Sequence, residues 1–277
     1  MPELPEVENT RRYLIQAGLP GRTFIGVAKI GWAKAVQTPS LEDFAAGLSG
    51  RKVRAVDRRG KYILFQLSRG DSPQRVGAPT LIIHLGMTGG LRVQLPSHPV
   101  HPMVRHTFYL DDGSELRFID GRKFGKLWLA NDPEEVLPTL GPDPLGGQFT
   151  PEVLAQGFHR RNAPVKALLL EQSIVSGMGN LYADESLFLA GINPLRPASE
   201  LSAEEVARLR NAIVSALTDA VEKYDQSRNE GWPDPPLGLS AWSIPRERGG
   251  SCPRCTGPIS AVRVRGRGTR FCPRCQG

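Results

Sequence analysis

The chain is 277 residues long and 40% hydrophobic, and it carries 35 Lys plus Arg against 28 Asp plus Glu, for a net charge of +7 and a pI near 9.5. That length and apolar content suffice for two domains with cores of their own, and the basic balance makes polyanions the candidate partners. No run approaches the roughly eighteen apolar residues of a membrane span, no basic-then-apolar leader opens the chain, and all four cysteines fall after residue 250; these features speak against a membrane protein and a secreted disulfide scaffold, with a disulfide pair or idle thiols left as the alternative to a metal site, and a soluble protein inside the cell is expected.

The opening stretch MPELPEVE crowds two prolines and three acids into eight residues. Pro5 at a first-turn position, acids early, basics later and Gly18 as a stop predict a helix over EVENTRRYLIQ. From about residue 22 to 130 short apolar runs alternate with turn residues, as in KYILFQL, TLIIHLGM, HTFYLDDGSELRFI and GKLWLA. These predict strands, with DDGS as a hairpin turn, and strands in succession favour an antiparallel sandwich or barrel. Pro and Gly then break the pattern in NDPEEVLPTLGPDPLGG, which reads as a linker. Helical segments follow in PEVLAQGF, APVKALLLEQ, LYADESLFLAG and SAEEVARLRNAIVSALTDAVEKY. Ser202 and Glu205 form a capping box before the last of these, and Val206, Leu209, Ile213, Ala216, Leu217, Ala220 and Tyr224 keep helical spacing. Residues 226–250, rich in Pro, Gly and charge, predict a long loop.

Cys252, Cys255, Cys272 and Cys275 make a C-x2-C-x16-C-x2-C pattern, in which two tight turns present four thiolates tetrahedrally to one zinc ion. Four thiolates leave no open position, so this zinc is structural. Between the cysteine pairs PISAVRVRGRGTRF alternates and then turns at GRG, which predicts a hairpin with Arg267 at its tip. From Arg246 onward there are eight Arg and one Glu, either a solvated face or a set of phosphate contacts.

The N-terminus admits two readings. In one, Pro2, Glu3 and Pro5 start a helix with favourable dipole charges. In the other, loss of Met1 exposes the secondary amine of Pro2; an α-amino group titrates near 7.7 to 8.0, so part of it is a neutral nucleophile at neutral pH. Attack on a sugar C1′ would give a cationic iminium, with Glu3 as general acid and base and Glu6, three residues on, fixing the geometry.

Taken together, PELPEVE, GKYILF, HLGMTG, DGRKFG, SGMGNLYADESLFLAGINP and the cysteine pattern occur in the order and spacing of the formamidopyrimidine-DNA glycosylase family, which the chain resembles over nearly its whole length. The resemblance implies a bifunctional base-excision repair enzyme that removes oxidised bases from double-stranded DNA and nicks the strand by β,δ-elimination. It implies an α+β fold: an N-terminal β-sandwich with a leading helix, then a helix-two-turns-helix domain and a zinc hairpin. The expected bounds are 1–135 for the catalytic sandwich, 136–150 for the linker, 151–245 for the helical DNA-binding domain and 246–277 for the zinc finger, in a cytoplasmic, nucleoid-associated monomer.

Residue by residue, the resemblance makes Pro2 the Schiff-base nucleophile, Glu3 the proton donor and Glu6 its support, and Lys61 a phosphate contact that helps elimination. Asn180, Arg267 and His84 match further phosphate grips, and Met87, Arg122 and Phe124 match the trio that fills the gap left by a flipped nucleotide. Without it, Lys61 reads as a surface lysine, His84 as a core histidine, Met87 and Phe124 as sheet packing and Arg122 as a surface charge. Leu4 in PELPE resembles the purine-lesion branch; the endonuclease VIII-like branch for oxidised pyrimidines, which usually has Gly there, is the alternative, and a non-enzymatic zinc-dependent DNA-binding module is another. The chain departs from the family after the long helix, where QSRNEGWPDPPLGLSAWSIPRERGGSC replaces the usual Gly-Gly-Thr tract and Tyr-Gly-Arg segment.

Overall fold

Helix α1 (Leu4–Gln16) ends where the sequence predicts its stop: Gly18 takes φ +74°, and the amides of Gly18 and Leu19 donate back to the carbonyls of Ile15 and Leu14 at 3.0 and 3.1 Å. The computed structural model describes residues 2–69, 78–137, 139–226, 242–247 and 249–277. Two units partition the chain, Met1–Pro2 with Glu6–Pro138 and Glu3–Pro5 with Thr139–Gly277. Among the described residues no helix is long and apolar enough to cross a membrane.

The N-terminal unit holds strands β1 (Phe24–Ile30), β2 (Val36–Thr38), β3 (Arg51–Arg59), β4 (Tyr62–Arg69), β5 (Thr80–His84), β6 (Gly89–Gln94), β7 (Val104–Leu110), β8 (Glu115–Asp120) and β9 (Lys126–Ala130). They form one sheet in the order β1-β7-β8-β6 and another in the order β2-β9-β5-β4-β3. A single apolar cluster joins Phe24, Leu91, Phe108 and Phe118 of the first sheet to Val53, Phe65, Ile83 and Leu127 of the second, with Val7 and Leu14 of α1 in the same core. Each fully buried phenylalanine stabilises this sandwich by roughly 2 kcal/mol. The predicted DDGS turn closes β7 onto β8, with Gly113 at φ +83° and its amide on the Leu110 carbonyl at 3.0 Å.

Two features depart from the expected run of antiparallel strands. β2 pairs parallel with β9. Helix α2 (Leu41–Leu48) interrupts the strands, because Ser40 accepts a hydrogen bond from the Asp43 amide at 3.2 Å while Phe44, Ala45 and Leu48 turn inward.

The C-terminal unit is helical: α3 (Pro151–Phe158), α4 (Val165–Leu169), α5 (Asn180–Ala190) and α6 (Ala203–Gln226), followed by the hairpin β10 (Ser260–Val264) and β11 (Arg267–Phe271). The capping box is formed: the Glu205 amide donates to Ser202 Oγ at 3.2 Å and the Ser202 amide to Glu205 Oε2 at 2.8 Å. The predicted α6 stripe is buried or packed against the core, and it meets Leu168, Leu169, Val175, Met178, Ala183 and Leu187 there. Part of the segment read as linker is built into this unit, since the Gly141 amide bonds the Gln172 carbonyl at 2.8 Å and a Cβ on Gly141 would collide with Ser173 O.

The hairpin turn begins one residue earlier than the sequence predicts. Arg265 and Gly266, at φ +46° and +74°, make the turn, and Arg267 is the first residue of β11, opposite Val264. Most of the predicted 226–250 loop lies outside the described residues. Its described stretch 242–247 is held: Glu185 accepts the amides of Ser243 and Ile244 at 2.8 and 3.2 Å, and Trp242 stacks edge-on to Tyr182 at 5.1 Å.

Candidate active site and nucleic-acid interface

Glu3 is 2% exposed and caps a helix that begins far along the chain. Its Oε1 accepts the Leu181 amide at 3.0 Å and its Oε2 the Tyr182 amide at 3.2 Å, two of the free N–H groups in the first turn of α5. The cap residue there is Gly179, which has no side chain to offer. A Cβ on Gly179 would collide with Glu3 Cδ, and one on Gly177, at φ +80°, would lie 2.8 Å from Leu4 Cβ. The Leu4 amide also donates to Gly177 O at 3.0 Å. SGMGN is therefore a seat for residues 3 and 4, and the positive end of α5 favours the anionic group placed on it. Asn180 opens the same helix, its Oδ1 buried and without a hydrogen-bond partner among the described residues. The structure thus brings Glu3 and Asn180 to one helix terminus. Half-buried Pro2 directly precedes this anchored carboxylate, and Glu6 lies half-buried in the first turn of α1.

In the N-terminal unit Lys61 occupies the turn between β3 and β4, after Gly60 at φ +55°. Strand register sets Tyr62 opposite His84 and His84 opposite Lys126. Burial lowers the His84 imidazole to about 4, and the charges of Lys61 and Lys126 push the same way, so the ring is neutral at pH 7. Its Nδ1 accepts the Gly86 amide at 3.2 Å, which leaves the proton on Nε2. His84 is a neutral donor beside two cations, a combination suited to an anionic oxygen.

Met87 and the pair Arg122 and Phe124 come together on two touching loops. A Cβ on Gly86 would lie 2.5 Å from the Phe124 carbonyl carbon, so the Met87 turn rests directly on the backbone of the other loop. Asp120, 1% exposed, ties them: its carboxylate accepts Thr88 Oγ1 at 2.7 Å, the Arg122 amide at 3.2 Å and the Gly125 amide at 2.8 Å. Phe124 is 50% exposed, and the Arg122 guanidinium lies 5.2 Å from its ring centroid. An exposed phenylalanine on a loop this firmly tied is no core residue, and the pair offers an apolar wedge beside a planar cation.

The four cysteine sulfurs lie within 4.8 Å of one another, with Cys252 to Cys275 at 3.8 Å and Cys255 to Cys272 at 3.5 Å. Zinc–sulfur bonds of about 2.3 Å in a tetrahedron require sulfur–sulfur edges of about 3.8 Å, so the donors fit one structural zinc. The hydrogen bond with Cys255, then burial and the other sulfurs, push the Cys275 thiol up to about 12. Thiolates this close need a cation to ionise together.

Sequence reasoning missed what docks this hairpin. Lys166 is 0% exposed and donates to Gly268 O at 2.9 Å and Thr269 Oγ1 at 2.8 Å, and it meets Asp184 at 2.7 Å. Asp184 also accepts the Arg270 amide at 3.2 Å and pairs with Arg246 at 3.5 Å. Burial pushes Lys166 down and Asp184 up, and their pairing with each other opposes both shifts. A lone lysine in the apolar run APVKALLL was the available signal. Arg265 is bound by Glu171 at 2.7 Å, whereas the exposed Arg267 guanidinium has no partner among the described residues.

Glu8 was also missed, although ENTRR places Arg11 and Arg12 three and four residues after it. It is 6% exposed and receives Arg11 at 2.7 Å, Arg12 at 2.9 Å and Arg58 at 3.0 Å. Burial alone would raise its carboxyl; the hydrogen bonds from Arg11 and Arg12 and the charge of Arg11 outweigh it and hold it at about 2. Its folded value lies below its ordinary 4.5, so its contribution is present above pH 4.5 and lost as pH falls towards 2. Glu8→Gln should therefore destabilise the protein by about 3 kcal/mol at pH 7, by removing the buried carboxylate charge shared by Arg11, Arg12 and Arg58. The difference between variant and parent should shrink through that acid window in denaturant titrations; a constant difference from pH 7 to pH 2.5 would refute it.

Three family models match in succession: "Formamidopyrimidine-DNA glycosylase N-terminal domain" over residues 1–127, "Formamidopyrimidine-DNA glycosylase H2TH domain" over 140–230 and "Zinc finger found in FPG and IleRS" over 249–277. The formamidopyrimidine-DNA glycosylase of Chloroflexus aggregans is 41% identical over 281 residues, covering 100% of this chain and 98% of its own length. The crystal structure of MutM (FPG) from Thermus thermophilus matches with TM-score 0.82 and 37% identity, covering 100% of this chain and 99% of that one. The Lactococcus lactis FPG (MutM) in complex with a FAPY-dG containing DNA matches with TM-score 0.82 and 30% identity, covering 99% of each chain.

Proposed function

This chain belongs to the formamidopyrimidine-DNA glycosylase family, and on that premise we propose that it excises oxidised purines, formamidopyrimidines and 8-oxoguanine opposite cytosine, from duplex DNA and then cuts the strand at the abasic sugar. The observation that carries this reading is the seating of Glu3 on the first turn of α5, which fixes the residue next to Pro2. Pro2, freed of Met1, attacks C1′ through its secondary amine, and the bond from C1′ to the damaged base breaks. Met1 itself lies outside the described residues. Glu3 delivers a proton to the sugar as the ring opens to an iminium, and Glu6 supports the pair. Loss of a proton from C2′, its electron pair drawn towards the cationic iminium, expels the 3′ phosphate, loss of a second proton from C4′ expels the 5′ phosphate, and water then hydrolyses the iminium to free Pro2.

Lys61 and the neutral Nε2–H of His84 grip phosphate in the N-terminal unit, and Asn180 and Arg267 do so in the C-terminal unit. Met87 and Phe124 fill the space vacated by the flipped nucleotide, and Arg122 bonds the orphaned cytosine. The work is done in the cytoplasm, on the nucleoid. Single-turnover release from 8-oxoguanine:cytosine and thymine-glycol duplexes tests the reading: the purine lesion should be released faster by about tenfold or more. Faster release of thymine glycol would transfer the chain to the pyrimidine-lesion branch.

A further inference from the structure

Lys123 stands between Arg122 and Phe124 at φ +60°, a left-handed conformation that residues bearing a side chain rarely adopt. The amides on either side of the bend are held by Asp120, that of Arg122 at 3.2 Å and that of Gly125 at 2.8 Å. The bend itself is met from another element. The Lys123 ammonium lies 4.6 Å from the ring centroid of Trp32, while Arg122 and Phe124 face one another at 5.2 Å. Trp32 is half-buried, packed against the sandwich core, and also receives Lys34 at 5.7 Å. Its position is fixed by Gly31, whose amide donates to Arg105 O at 2.6 Å and whose Cβ, if present, would lie 2.7 Å from that oxygen. Arg105 Nε in turn donates to Asp120 O at 2.8 Å, so the tryptophan and the clamped loop share one rigid frame.

We propose that Trp32 is a positioning residue for lesion recognition: by holding the Lys123 ammonium on its ring, it keeps the backbone at Lys123 left-handed and presents Arg122 and Phe124 as a fixed pair. This rests on the reading that Arg122 and Phe124 occupy the gap opposite the orphaned cytosine. Arg122 discriminates between bases only if its planar donors are aimed before contact, and a loop that bends freely at Lys123 loses that aim.

The test is single-turnover excision of 8-oxoguanine opposite cytosine and opposite adenine by the full-length, zinc-loaded protein. Trp32→Ala should lower the cytosine preference about three- to tenfold, the range of a cation–π contact, and Trp32→Phe should recover most of it. Lys123→Gly should lower the preference likewise while raising the thermal midpoint, because glycine accepts φ +60° without strain. A general loss of stability cannot produce that combination. Unchanged preference in both Trp32→Ala and Lys123→Gly would overturn the proposal, as would variants that only weaken binding to undamaged duplex, which would make Lys123 a phosphate grip. If Trp32→Ala does not fold, Trp32→Phe and Lys123→Gly decide. Arg122→Ala separates the two levels: retention of the cytosine preference there would sink the assignment of Arg122 itself.

Discussion

Replacing Cys255 with serine, or stripping zinc with a chelator, should lower affinity for a lesion-bearing duplex on the order of 100-fold, the scale of a few lost phosphate contacts. The apolar support of the finger is small: Phe188, Ile244, Cys252 and Cys272 are buried, with Ile259 packed against them. A module of this size does not hold its turns without metal. Loss of the hairpin removes Arg267, and it also removes Gly268 O and Thr269 Oγ1 from the buried Lys166 ammonium. That charge would then face Asp184 with two of its hydrogen bonds gone, so unfolding of the finger should lower the thermal stability of the helices as well. Fluorescence anisotropy with a labelled duplex, read beside the zinc content, measures the effect. Full affinity in verified zinc-free protein would refute the role given to the finger.

The local chemistry of the chain was legible in its sequence wherever cause and consequence lie a few residues apart. Ser202 with Glu205, the stop at Gly18, the DDGS turn and the cysteine spacing each state a short-range geometry, and each is found in the fold. Helix α2 carried the same kind of signal, Ser40 followed by Asp43 and an apolar run, but it is short and set among strands. The hairpin tip misled because GRG offers two glycines, whereas the register is set from elsewhere. Lys166 bonds Gly268 O and Thr269 Oγ1 of β11, Val264 pairs with Arg267, and Arg265 takes the left-handed position.

For the candidate site the sequence names residues but not their supports. No periodicity connects Glu3 with the amides of Leu181 and Tyr182, and only the fold explains why two glycines flank Met178. Asp120, which the sequence shows only as part of DGRKFG, is the buried acceptor that joins the Met87 turn to Arg122. Leu4, which resembles a marker of the purine-lesion branch, is fully buried in the helical core. Its role is to pack, so lesion choice is to be sought in the side chains that meet the base.

The second large effect concerns the terminus itself. One residue added ahead of Pro2 converts its amine into an amide, whose nitrogen has no lone pair free for attack. Strand nicking should then fall at least about 1,000-fold while duplex binding persists, since the residues proposed to grip phosphate are untouched. The most direct measurement is borohydride reduction of the protein on lesion-bearing duplex, followed by digestion and tandem mass spectrometry of the trapped complex. The account predicts a deoxyribose-derived adduct on the Pro2 nitrogen. An adduct on Lys61 or any other lysine, with Pro2 unmodified, would contradict it.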